Sequence, residues 1–206
     1  MRRHAQGHRL PSLSMVAEQR RDPFLILTGC ILSLRTKDET TLPAAERLFA
    51  LADTPARLRR ISVKRIERAI YPVGFYRTKA RTLRTLAAHL LLHHAGKTPD
   101  TLEELLAIKG VGRKTANLVL TLGFGKPGIC VDTHVHRISN RWGLVTTRTP
   151  EQTEMALREK LPRRYWIEYN DLLVTFGKTL CHPLSPKCSI CPVRARCPRR
   201  GVKRSR

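Results

Sequence analysis

Apolar residues in this chain recur every three or four positions, and no stretch alternates apolar and polar residues with the period of a strand. Leu and Ala are frequent and β-branched runs scarce, so the pattern predicts helix after helix and an all-α fold. The expected helices are Phe24–Ser33, Thr41–Leu51 with Pro43 in its first turn, two short ones opened by Thr54-Pro55 and by Ser62, Arg77–His94, Thr101–Ile108, Lys114–Leu122, Thr133–Trp142, Thr149–Lys160 and Tyr169–Cys181. The periodicity breaks weakly at Gly125–Gly128, where two glycines flank Lys126 and Pro127. With 206 residues the chain can bury one large core or two small ones without disulfide staples.

Charge narrows the partner. Lys and Arg number 39 against 16 Asp and Glu, a formal charge of +23, which points to a polyanion and to nucleic acid before membrane. The longest apolar stretches, Phe24–Leu34 and Leu118–Phe124, fall short of the roughly 20 residues that a membrane span requires. Arg9, Pro11 and Ser12 occupy the place of a signal peptide's apolar segment, so the expected location is cytoplasmic and nucleoid-associated.

The segment LEELLAIKGVGRKTANL, Leu102–Leu118, reads as helix, tight turn, helix. Gly110 and Gly112 allow a sharp turn through positive φ, while Val111 between them plugs the gap between the helices. Such a turn aims backbone N–H groups and the positive end of a helix dipole outward, which suits a phosphate. Arg113 and Lys114 follow directly. Held by amides, a phosphate contact of this kind is blind to base sequence.

Lys114 stands at the first turn of the second helix, where a cation is disfavoured and Arg113 adds repulsion, so the neutral and nucleophilic amine is promoted. Its bland alternative is one more phosphate-binding lysine. Asp132, in GICVDTHV, is the one carboxylate between Glu104 and Glu151. It is placed to cap a helix that starts near Thr133, and a capped carboxylate stays ionised. It could take a proton from an amine such as that of Lys114 and stabilise positive charge developing on a sugar ring.

Cys30 and Cys130 lie alone in apolar surroundings and read as small buried side chains. Cys181, Cys188, Cys191 and Cys197 crowd together with six, two and five residues between them. Zinc ribbons usually show two close pairs and this segment has one, so spacing alone leaves zinc and an iron–sulfur cluster about even.

KGVGRKTAN, VDTHVHR and the cysteine segment together resemble the endonuclease III family, within the helix-hairpin-helix superfamily of DNA glycosylases, over about Pro23 to Cys197. The resemblance implies a two-domain fold: a six-helix barrel over residues 22–126, and an iron–sulfur cluster domain from residues 1–21 with 127–206. It implies a monomeric, bifunctional DNA glycosylase and abasic-site lyase that removes oxidised pyrimidines from double-stranded DNA in base excision repair. Lys114 matches the nucleophile, Asp132 the essential carboxylate, and the four cysteines the ligands of a 4Fe-4S cluster. Relatives that release mispaired bases without cutting the strand usually carry Tyr or Ser at the lysine position.

DNA contacts are implied for Gly110, Val111, Gly112 and Arg113, and for Lys187 and Arg194 beside the cysteines. Arg35 stands where the family often has glutamine, and either stacks into the gap left by a flipped nucleotide or simply contacts phosphate. Phe75 occupies the family's apolar wedge position and is either that wedge or part of the core.

Overall fold

A computed structural model of the chain describes His4, Ser14, Val16, Ala17 and residues 20–206. Most of the N-terminal extension, and with it the expected start of the second domain, lies outside the described residues. Among the described residues every regular element is helical and none is a strand. The chain divides into two compact units, one of Ser12–Lys126 and one of Met1–Pro11 with Pro127–Arg206.

The first unit is organised around α1 (Pro23–Ser33). Asp22 caps it by accepting from the Phe24 and Leu25 amides at 2.8 and 3.2 Å, and Pro23 supplies a first-turn φ at no hydrogen-bond cost. Every residue from Phe24 to Leu32 is buried, so α1 is apolar all round and can only be central. Packed on it are α2 (Asp38–Leu51), α5 (Tyr76–His93) and α7 (Arg113–Leu118). Thr54 and Ser62 cap the short helices α3 (Pro55–Arg60) and α4 (Val63–Ile70), which pack against α5. Arg47 reaches from α2 to the Ala69 and Tyr71 carbonyls at 2.8 and 2.6 Å and so closes the C-terminal end of α4.

Two boundaries depart from the sequence expectation here. Helix α2 begins at Asp38 rather than Thr41, which puts Pro43 inside the helix instead of in its first turn. Asp38 and Glu39 complement the positive end of the dipole, the Thr41 hydroxyl donates to the Lys37 carbonyl at 3.0 Å, and the Glu39 carbonyl orphaned by Pro43 belongs to an exposed residue. The helix expected over Lys114–Leu122 is α7 followed by a π segment, Val119–Gly123. Thr121 donates to the Asn117 and Leu118 carbonyls at 2.8 and 3.2 Å, and Asn117 donates to the Arg113 carbonyl at 3.0 Å, so side chains occupy acceptors of the α ladder. Gly123 closes the segment against Pro23, where a Cβ would fall 3.1 Å from the Pro23 Cα.

The second unit contains α8 (Thr133–Arg141), α9 (Pro150–Lys160) and α10 (Trp166–Thr179). Val135, Ile138, Leu157, Trp166, Tyr169, Leu173 and Phe176 form its core. Helix α10 starts three residues before the expected Tyr169 because Trp166, Tyr169, Leu173 and Phe176 make one continuous apolar stripe. The indole of Trp166 donates to the Leu161 carbonyl at 2.7 Å and lies under the Arg158 and Arg163 guanidinium groups. At Gly177 any Cβ would fall 2.2 Å from the His134 ring, so α10 approaches α8 as only a glycine permits. No helix among the described residues is long and apolar enough to cross a membrane.

Candidate functional site

The hairpin is built by α6 (Leu102–Ala107) and α7, with Thr101 capping the first of them. Ile108 and Val111 are buried, and the Val111 amide donates to the Ile108 carbonyl at 3.0 Å, which closes the turn on its apolar plug. Only one of the two glycines takes the expected positive φ. Gly110 sits at +89°, whereas Gly112 is the N-cap of α7 with extended backbone, φ −95° and ψ 173°. The reason is positional: one left-handed residue reverses the chain, and a helix N-cap then requires an extended residue. A Cβ on Gly112 would meet nothing within 4 Å, so the N-cap residue of α7 borders open space. Arg113 is half-buried and Lys114 exposed.

Lys114 lies within electrostatic reach of Cys30 on α1. Burial pushes the Cys30 thiol up to about 12, and the Lys114 ammonium partly opposes that rise. Cys30 and Cys130 are both buried, as their surroundings suggested. Asp132 caps α8, with its Oδ1 accepting from the His134 and Val135 amides at 2.9 and 2.8 Å. Both bonds use one oxygen, and the residue is only half-buried.

Arg35 and Phe75 come together at the tips of two loops. The Arg35 guanidinium carbon lies 5.8 Å from the centroid of the Phe75 ring, within cation–π range. Phe75 is 63% exposed, which removes the core alternative for it. Both residues are left-handed, with φ 53° and 59°, a conformation that costs a non-glycine residue roughly 1–2 kcal/mol. Gly74 allows the close approach, since a Cβ there would fall 2.9 Å from the Arg35 carbonyl oxygen.

Sequence reasoning missed the residue beneath these loops. Lys79, 6% exposed, donates to the Leu32 carbonyl at 2.8 Å, the Leu34 carbonyl at 2.5 Å and the Thr36 hydroxyl at 3.0 Å. A signal was present: Lys79, Leu83, Leu86 and Leu90 fall on one stripe of α5, so a lysine occupies a core position. Burial lowers its ammonium from 10.5 to about 8. Between those values the unfolded chain holds a proton that the native state has lost, so native stability rises with pH. Wild-type protein should therefore gain thermal stability relative to Lys79→Met from about pH 8 to about 10.5, and a flat difference in melting temperature would refute the assignment.

Cys181, Cys188, Cys191 and Cys197 line one small pocket, together with Arg141, Trp142, Phe176, Lys187 and Arg194. Among the described residues no three His, Cys, Asp or Glu side chains are gathered closely enough to hold a single metal ion. Burial pushes the Cys191 thiol up, and negative charge at Cys181, Cys197 and Cys188 pushes it further, against a backbone hydrogen bond at Val193. Four cysteine sulfurs lining one pocket fit a multi-iron cluster. Lys187 is half-buried at the rim of the pocket and Arg194 is exposed.

Arg141 ties α8 to this segment. Only 8% exposed, it donates to Cys181 Sγ at 3.4 Å, to the His182 carbonyl at 2.7 Å and to the Pro183 carbonyl. Its own carbonyl accepts from the Arg200 amide at 3.1 Å and from the Cys197 thiol.

Residues 28–163 match the family described as HhH-GPD superfamily base excision DNA repair protein. Endonuclease III of Thermotoga maritima is 46% identical over 176 residues, which cover 85% of this chain and 83% of that protein. Endonuclease III-like protein 1 of Bos taurus is 42% identical over 178 residues, which cover 85% of this chain and 58% of that protein. Among solved structures, a trapped endonuclease III–DNA covalent intermediate with an estranged adenine superimposes with a TM-score of 0.81 at 33% identity, covering 90% of this chain and 92% of that one. A thermostable thymine-DNA glycosylase shares the fold, with a TM-score of 0.81 at 24% identity. The chain therefore belongs to the HhH-GPD superfamily of base excision DNA repair proteins, and within it to the endonuclease III family of DNA glycosylases.

Proposed function

We propose that this chain removes oxidised pyrimidines from double-stranded DNA and then cuts the strand at the abasic site, acting as a bifunctional glycosylase and lyase with Lys114 as its nucleophile. The observation that carries this reading is an exposed lysine in the first turn of the helix that follows the glycine hairpin. That a solved relative is a trapped covalent intermediate with DNA supports a covalent route.

The Lys114 amine attacks C1′ of the flipped nucleotide, and the glycosidic electron pair leaves with the base, which takes up a proton. The sugar ring opens to an iminium. That iminium acidifies the C2′ proton, and its removal expels the 3′ phosphate by β-elimination. Asp132, held in place by the amides it caps, stabilises positive charge on the sugar and accepts a proton from an attacking amine. Gly110, Val111, Gly112 and Arg113 hold a backbone phosphate without reading sequence, and Lys187 and Arg194 add attraction. Arg35 and Phe75 fill the gap left in the stack. Cys181, Cys188, Cys191 and Cys197 would hold a 4Fe-4S cluster. Such a cluster supplies iron–sulfur bonds that tie the C-terminal segment together, and no step at the sugar uses it. On this reading residues 22–126 are the six-helix barrel domain, and residues 1–21 with 127–206 the cluster domain of a monomer.

Borohydride tests the proposal directly, because it reduces the iminium to a stable amine. Incubation with thymine-glycol duplex should give a covalent protein–DNA adduct, and without reductant a nick 3′ to the lesion. Release of the base with neither adduct nor nick would leave a glycosylase without lyase chemistry and refute the role of Lys114.

A further inference from the structure

We propose that Lys79 is a positioning residue for the gap-filling pair: through its side chain it holds Arg35 and Phe75 side by side before DNA arrives. This deepens the reading that Arg35 and Phe75 enter the opened stack, and rests on it.

Helix α1 ends at Ser33, and its last carbonyls lack helical amide donors; the Ser33 hydroxyl donates to that of Cys30, and that of Leu32 is left to Lys79. The Lys79 ammonium has three protons and three acceptors: the carbonyls of Leu32 and Leu34, and the hydroxyl of Thr36. These acceptors bracket Arg35 on both sides, which fixes the turn that carries it. A cation also suits the negative end of the α1 dipole. On the other loop, the Lys79 backbone amide donates to the Phe75 carbonyl at 3.0 Å, in the first turn of α5. That bond is the ordinary first bond of α5, so what is particular to lysine is its side chain, which ties the helix capped by Phe75 to the turn that carries Arg35.

A lysine placed only to satisfy the end of α1 would not need its neighbours to be strained. Here both residues it braces are left-handed non-glycines with exposed side chains, and Gly74 brings their loops into contact. Strain maintained at exposed tips by a buried cation is preorganisation: the ordering cost of the two side chains is met in folding rather than on DNA.

The test uses duplex DNA with a tetrahydrofuran abasic analogue and 2-aminopurine beside it, whose emission rises when a side chain breaks its stacking. Lys79→Met keeps the aliphatic stem and removes the donors. It should lose at least about five-fold of the wild-type emission rise while its affinity for undamaged duplex stays within about two-fold. Gly74→Ala, which keeps the Lys79 side chain but pushes the Arg35 carbonyl away and crowds the Thr36 hydroxyl that Lys79 holds, should lose the signal in the same way and carries the test should Lys79→Met fail to fold. A full emission rise in both variants, or a loss matched by equal loss of affinity for undamaged duplex, overturns the positioning role. Phe75→Ala separates the two levels: an undiminished rise in that variant sinks the gap-filling reading itself.

Discussion

Lys114→Ala should give no borohydride-trapped adduct with thymine-glycol duplex, at any exposure time that traps the wild type fully. A methyl group has no lone pair to offer C1′, and water in its place gives no iminium for the reductant to fix. Binding is a separate matter. One lysine in a chain of formal charge +23 accounts for at most one phosphate contact, so affinity for the duplex should stay within a few-fold and the salt slope should change by about 1. Folding should also survive, because Lys114 is exposed and the α7 stripe that packs, Thr115 to Leu118, is untouched. An adduct that persists in Lys114→Ala at wild-type yield would assign the covalent chemistry to another amine.

Asp132→Asn should reduce base release in a single turnover by about 10²–10⁴-fold, the range for loss of a positioned proton-transfer group. Asparagine is as good an N-cap as aspartate, so the His134 and Val135 amides keep an acceptor and the start of α8 is preserved. What is lost is the charge. Stability should therefore change by less than about 1 kcal/mol, the typical worth of a whole cap, while the rate collapses. A variant that loses stability and rate together would reassign Asp132 as a cap and nothing more.

The parts legible in the sequence are those written locally. Thr54, Ser62, Thr101, Thr149 and Asp132 each precede a helix and each caps one, because a cap is made with an amide two or three residues away. The glycines of the hairpin announced a turn, although the division of labour between a left-handed Gly110 and an extended Gly112 depends on how α7 starts. The π segment was hidden because it follows from Asn117 and Thr121 competing for helix carbonyls, which no apolar period records. Lys79 was hidden for the opposite reason: its acceptors lie 43 to 47 residues away, beyond any local rule. For the cysteines, spacing identified the group, and only the folded chain places all four around one pocket.

Helix α8 spans nine residues, about 13 Å at 1.5 Å per residue, with Asp132 capping one end and Arg141 at the other. It works as a lever arm with a carboxylate at its tip and a guanidinium at its pivot. The pivot rests on carbonyls and a sulfur that only the segment from Cys181 onward provides. Oxidative damage or proteolysis there would strand an interior cation, a penalty of several kcal/mol. Damage to the C-terminal segment should thereby be felt in the helix that Asp132 caps.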